Sequence, residues 1–352
     1  MDDLRQRRAL SLGTCAFGRA IDAYGRPLDG GPALRGRRIA LELHAPKPGE
    51  RRAIAAPLWT GVRAIDGLLT IGRGARVGIF GAPGAGKTML IESMLYGCAA
   101  DASVVALVGE RGREAREWIE HRNDRTTVVC ATSDRPAPER VAAARLAVVQ
   151  ANALRERGLH VLLVIDSLAR FAAALREIAI GRGESAGRGG YPPSVFAEMA
   201  RVVEVAGPTR EGSITLVATV IGDGDDRDPV SEAARSFLDG HFALSLKLAE
   251  SARFPAVDVP ASASRTADAV AGDEHLQAAR RVRRAIALLD RLEDARSLGV
   301  DPGSPEARAA IAAEDRLESF LRQGRAPSQS FETLAALARL DALLSNNSVT
   351  SR

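Results

Sequence analysis

Residues 75–95 read ARVGIFGAPGAGKTMLIESML, and the reading of this stretch decides the fold. An apolar run, ARVGIF (75–80), enters Gly81-Ala82-Pro83-Gly84-Ala85-Gly86-Lys87-Thr88, and a helical run, TMLIESML (88–95), leaves it. Strand, glycine-rich turn and helix in that order fit G-x-x-x-x-G-K-[ST] and set the motif apart from a chance glycine-rich turn. Glycines let backbone N–H groups curl around phosphate oxygens, and the helix presents its positive end to them. Lys87 is expected to neutralise the β- and γ-phosphates and the Thr88 hydroxyl to bind Mg²⁺, with Met89 beside them at the nucleotide. Lysine otherwise occurs only at Lys47 and Lys247, so its place inside this loop carries weight.

Outward from the loop, apolar runs alternate with helical ones. Candidate strands are SVVALVG (103–109), TTVVCA (126–131), HVLLVID (160–166), SITLVATVI (213–221) and HFALSL (241–246), with a long helix over 138–158. Runs rich in Val, Ile and Leu between helices predict a mostly parallel sheet covered on both faces. Before the loop, RAIDAYGRPLDGGP (19–32) predicts brief strands and turns. After about residue 270 strands are no longer expected. Val282, Ile286, Leu289 and Leu292 recur at helical spacing over 275–298, DPGSP (301–305) breaks the run, and helices follow near 306–323 and 331–344. The final SNNSVTSR has no core-forming pattern and is expected to be disordered.

Two carboxylates stand where such a sheet places ligands. Asp166 closes HVLLVID and is either a Mg²⁺ ligand or a strand-end turn cap. Glu110 follows SVVALVG and is either the group that orients the attacking water or a surface carboxylate neutralised by Arg111 or Arg113. Sequence order leaves both readings of Glu110 open.

Composition is that of a soluble globular protein, 46% hydrophobic and 26% charged in 352 residues, with a core built from aliphatics because aromatics reach only 4%. No apolar run approaches the roughly 20 residues of a membrane span, and the start MDDLRQRRALSLG lacks a hydrophobic signal core. Cys15, Cys98 and Cys130 are too scattered for a disulfide framework or a zinc site and fit a reducing cytoplasm. The net charge of +4 is spread along the chain, so it does not select nucleic acid as partner.

The ordered blocks GRAIDAYGRPLDG (18–30), TGVRAIDGLLTIGRGARVGIFGAPGAGKT (60–88), LVGERGREAREWIEH (107–121), LLVIDSLARFAAALREIAIGRGE (162–184) and FPAVDVPASASR (254–265) resemble the ATPases of type III secretion and flagellar export. These are related to the subunits of rotary ATP synthases, and the resemblance spans residues 18 to 325. It implies an α/β fold: a RecA-like P-loop core over 51–268, a remnant of an N-terminal β-barrel with linker over 1–50, a C-terminal helical domain over 269–345 and a tail at 346–352. Within it, Glu110 positions the water, Arg111 and Arg170 lie near the γ-phosphate, Phe254 stacks on adenine, and Arg265 is an arginine finger acting on a neighbouring subunit's nucleotide. Read without the resemblance, Arg265 is a surface arginine and Phe254 a core aromatic. The family implies ATP and Mg²⁺, a homohexameric ring, a central stalk and a stator, chaperone–substrate complexes, and an export gate at the inner membrane with the enzyme peripheral to it in the cytoplasm.

Several positions depart from the family pattern. Only the last part of the barrel, near 14–45, is expected, and the usual acidic pair reads Glu232-Ala233, the usual Arg after LS reads Leu246, GEPP reads Gly183-Glu-Ser-Ala186, and a usual Gln reads Ala75. Two other functions stay in view. One is a nucleotide-binding docking scaffold without turnover. The other is an RNA-translocating ring helicase, which should bring stacking aromatics ahead of the loop; residues 1–70 hold only Phe17, Tyr24 and Trp59, widely spaced. An ATP synthase subunit is a third possibility, though TGVRAIDGLLTIG and RGGYPPSVF look closer to export ATPases.

Overall fold

The computed structural model describes residues 9–221, 228–297 and 304–349. Chain order and spatial grouping differ: one compact unit takes Met1–Ile54, Arg73–Phe80 and Ala100–Asp239, and the other takes Ala55–Gly72, Gly81–Ala99 and Gly240–Arg352.

The first unit is built on a sheet whose strands lie in the order Arg76–Gly81, Ser213–Ile221, His160–Asp166, Ala102–Val108, Thr126–Ala131 and Ala20–Asp22. Every pairing from Ser213–Ile221 to Ala20–Asp22 is parallel. All residues of Ala102–Val108, Thr126–Ala131 and His160–Asp166 are buried, as expected of parallel strands covered on both faces. Helix Ala137–Arg155 covers one face with seven alanines, the best helix former, and buries Val141, Leu146, Val148 and Leu154 against the core. Helix Leu168–Gly181 starts where the Ser167 hydroxyl accepts from the Arg170 N–H at 3.1 Å, an N-cap that fixes the chain just after Asp166. Ahead of the core, Ala9–Ser11 pairs antiparallel with Arg38–Ala40, while Ala20–Asp22 joins the edge of the main sheet.

The second unit contains the helix Lys87–Gly97, the antiparallel pair Gly240–Leu244 and Val257–Ser264, and the helices Asp273–Ser297, Pro305–Ala312, Glu314–Leu321 and Ser330–Val349. Val282 and Ile286 are buried as their spacing predicts, with Leu317, Phe320, Leu337 and Leu340 from the later helices. The stretch near 306–323 is two helices, separated at Ala313. The Ser304 hydroxyl accepts from Ala307 N–H at 3.1 Å and Pro305 follows, a helix start written into the sequence; residues 301–303 of the expected break lie outside the described residues. The disordered tail expected from residue 346 is corrected here: backbone hydrogen bonding carries the last helix on to Val349, and residues 350–352 lie outside the described residues. Among the described residues no helix is long and apolar enough to cross a membrane.

Within this unit Asp66 is fully buried and accepts from Thr60 N–H at 2.8 Å, the Thr60 hydroxyl at 2.7 Å and Gly61 N–H at 2.9 Å. Gly61 has a φ of +77°, and a Cβ there would lie 2.7 Å from Pro327 and 2.8 Å from Gly97, so no other residue fits.

His160 opens its strand fully buried, with Nδ1 2.7 Å from the Ser213 hydroxyl and Nε2 without a protein partner. Burial, aided by the positive charge of Arg73, pushes its pKa down to about 4. The folded value lies below the unfolded value of about 6.5, so this group's contribution is full above pH 6.5 and is lost as pH falls toward 4. Between pH 7.5 and 5 it should remove about 2 kcal/mol, at roughly 1.4 kcal/mol per unit below the unfolded pKa. Urea unfolding of the wild type and His160→Asn at both pH values checks this: the variant should lose correspondingly less stability on acidification.

Candidate nucleotide site

The phosphate loop leaves the strand Arg76–Gly81 and closes on Gly86, whose φ of +87° and ψ of 24° cap the helix Lys87–Gly97. A left-handed cap of this kind turns the chain sharply and brings the N–H groups of the first helical turn to the loop. Gly84 also has a positive φ, +88°. The Lys87 ammonium folds back over the loop and donates to the carbonyls of Gly81 at 2.8 Å and Ala82 at 2.7 Å. Pro83, Gly84 and Thr88 are exposed along the loop, Ala85 is buried beneath it, and Met89 is half-buried on the first turn.

In the same unit the half-buried Phe254 ring faces the loop: a Cβ on Gly86 would meet its Cε1 at 3.5 Å. Phe254 belongs to the wall of a cavity of about 430 Å³, with Met89, Ser93, Ala252, Gln323 and Arg325. Arg265 follows the strand Val257–Ser264 and is exposed. Its neighbours anchor it: the Ser264 hydroxyl donates to Thr70 C=O at 2.7 Å, and the Thr266 hydroxyl accepts from Gly72 N–H at 3.0 Å. A guanidinium held outward on a fixed strand end is suited to a target outside its own chain.

In the first unit, Asp166 is buried at the end of its strand and accepts from the Thr219 hydroxyl at 2.5 Å. Its neighbour Glu110 is 4% exposed and forms an ion pair with Arg170. Burial alone would push the Glu110 carboxyl up, but the Arg170 hydrogen bond, with a further one from Glu114, brings it below the usual range. Glu114 is pushed up instead, first by the hydrogen bond it shares with Glu110 and then by its own burial. The two carboxyls therefore titrate as a pair, with Glu110 the more acidic member. Arg111 is 82% exposed, 4.0 Å from Glu114, and does not neutralise Glu110; Arg170 does. Cys130, nearby in the core, is pushed up to about 12 by burial and by the charges of Glu110 and Asp134, so its thiol is inert.

The Thr88 hydroxyl and the Asp166 carboxylate are each of the oxygen type that Mg²⁺ takes. Mg²⁺ takes one or two protein oxygens plus phosphates rather than an all-protein cage, and among the described residues no group of three potential ligands gathers in one place. Sequence reasoning missed Thr219, Glu114 and Gln323. Only Glu114 left a trace, four residues after Glu110 on the next helix.

Comparison with known proteins places these features. The model of the ATP synthase alpha/beta family, nucleotide-binding domain, matches residues 61–264, and that of the T3SS EscN ATPase C-terminal domain matches residues 271–339. The chain is 43% identical over 343 residues to the type 3 secretion system ATPase of Sinorhizobium fredii, covering 95% of this chain and 76% of that one. It is 42% identical over 343 residues to the flagellum-specific ATP synthase of Pseudomonas aeruginosa, covering 94% and 76%. The solved structure of the assembled ATPase EscN, from the type III secretion system of enteropathogenic E. coli, matches with a TM-score of 0.91 at 38% identity, covering 95% of this chain and 84% of that one. Sheet, loop and helical region thus define a P-loop ATPase with a RecA-like core. The chain belongs to the ATP synthase alpha/beta family, in its type III secretion ATPase branch.

The Arg170 ion pair has a direct test. In Arg170→Met the lower titration step of the Glu110–Glu114 pair should move up by about one unit or more, measured by pH titration of ¹³C-labelled glutamate carboxyls.

Proposed function

We propose that this protein hydrolyses ATP in a ring of identical subunits, a hexamer as in its family, and that the turnover drives type III protein export. The observation that carries the reading is the Glu110–Arg170 pair: a buried carboxylate kept ionised at the sheet edge that also ends in Asp166.

Each residue then has a task. Backbone N–H groups from Gly84 to Thr88 and the Lys87 ammonium take the phosphate oxygens, and the ammonium exchanges the carbonyls of Gly81 and Ala82 for them. Thr88 and Asp166 would hold Mg²⁺, which when bound supplies charge neutralisation between the β- and γ-phosphates. Glu110 accepts a hydrogen bond from the attacking water and takes its proton as the water oxygen bonds to the γ-phosphorus and the bond to the bridging oxygen breaks. Arg170 keeps Glu110 ready to accept, and Arg111 stands beside it at the start of the next helix. Arg265 reaches the nucleotide of a neighbouring subunit, where it stabilises charge developing on the transferred phosphoryl group, an effect of about 10³–10⁵ in rate. Phe254 takes the base.

The same reading makes the protein peripheral to the inner membrane on its cytoplasmic side, acting on chaperone–substrate complexes at an export gate, with a stator and a central stalk as partners. The stalk is supported by EscN, which has been solved in complex with its central stalk EscO.

Steady-state ATP hydrolysis against protein concentration checks the enzyme. Specific activity should rise with concentration and require Mg²⁺. Lys87→Ala should lower it by about 10³ or more, the scale on which loss of transition-state charge stabilisation acts. In cells, the same substitution should stop export of secreted substrates; undiminished export would contradict the role.

A further inference from the structure

The base cavity has one wall without regular secondary structure. Residues 323–328 lie between the helix-end bonds Arg322 N–H to Glu318 C=O and Thr333 N–H to Gln329 C=O, so helical bonding does not fix them. Their position must come from somewhere else.

It comes largely from Gln323. Its backbone N–H donates to the carbonyl of Phe254 at 2.8 Å, which ties this wall to the residue facing it. Its side-chain oxygen accepts from Arg63 N–H at 2.9 Å. Its side-chain nitrogen donates to Gly61 C=O at 2.7 Å and to Ala326 C=O at 2.9 Å. One amide therefore fastens the wall to itself, to the loop before helix Arg63–Leu68, and, through its own backbone, to Phe254. Gly61 is not a soft anchor. It is held by the buried Asp66 and cannot be another residue, and its carbonyl takes a second bond from Ser328 N–H at 2.9 Å.

We infer that Gln323 is a positioning residue for the nucleotide base: it sets the gap between Phe254 and the facing wall and so governs how well that gap grips a base. Both of its side-chain N–H donors are spent on the protein and its oxygen is held by Arg63, so it shapes the gap rather than binding the base. The inference rests on the reading that Phe254 takes the base. It predicts an effect confined to the base end of the nucleotide, because none of these bonds involves the phosphate loop.

The test compares a ligand with a base and one without. Binding of ADP and of inorganic tripolyphosphate is measured calorimetrically on the full chain for wild type, Gln323→Ala, Gln323→Glu and Phe254→Ala, with thermal melting to confirm folding. Gln323→Glu keeps the acceptor for Arg63 but turns a carboxylate on the carbonyls of Gly61 and Ala326, and it remains informative if the alanine variant does not fold. In either Gln323 variant ADP should bind about tenfold more weakly, with tripolyphosphate within about twofold of wild type; KM for ATP should rise with kcat little changed. Equal weakening of both ligands, or no weakening of ADP while Phe254→Ala weakens it, would overturn the inference. If Phe254→Ala also leaves ADP binding unchanged, the assignment of the base to this cavity fails, and the inference with it.

Discussion

The register of two parallel strands is the constraint on which the chemistry depends. Leu107 pairs with Asp166 across Ala102–Val108 and His160–Asp166, so both strands end at the same edge of the sheet. Glu110 emerges two residues beyond the first strand. Asp166 closes the second, and Arg170 sits in the first turn of the helix that follows. A slip of one residue would turn every side chain to the opposite face and separate carboxylate from guanidinium. Complete burial of both strands opposes that slip, because it would also rearrange the core of Val104, Ala106, Leu163 and Ile165.

Burial at this edge has an electrical consequence. A carboxyl as hidden as Glu110 would ordinarily take a proton, and then it could not accept one from water. Arg170 reverses that preference, while Glu114 beside it is pushed up. The same balance recurs elsewhere with other outcomes. His160, buried near Arg73, stays neutral, while Asp66 rises to about 6 despite three donated hydrogen bonds because its burial outweighs them. Of these buried groups, Glu110 is the one with a guanidinium in an ion pair with it, and it is the one that the proposed reaction needs ionised.

Much of this was legible in the sequence. The strands at 126–131, 160–166 and 213–221 match their apolar runs residue for residue, since aliphatic-rich runs mark buried parallel strands even where a Thr such as Thr215 or Thr219 stands among them. The phosphate loop was read from its glycine spacing, its lone lysine and the strand and helix on either side. What could not be read depends on partners far apart in the chain. Val257–Ser264 reads VDVPASAS, where small side chains and Pro260 blur the alternation that marks a strand. Thr219 meets Asp166 only through the pairing of neighbouring strands, and Gln323 meets Gly61 across 262 residues. The identity of the base that neutralises Glu110 also escaped: Arg111 and Arg113 are adjacent in sequence, but helix geometry turns them to solvent and brings in Arg170.

The central claim is that each active site is completed by a second copy of the chain. It is tested most directly by mixing two inactive proteins, Lys87→Ala and Arg265→Ala, and measuring ATP hydrolysis. In a mixed ring some interfaces join an intact phosphate loop from one subunit to an intact Arg265 from its neighbour. The account predicts that the mixture regains activity that neither protein has alone. A mixture as inactive as its components, under conditions where mixed assemblies form, would contradict it, as would Arg265→Ala retaining full activity by itself.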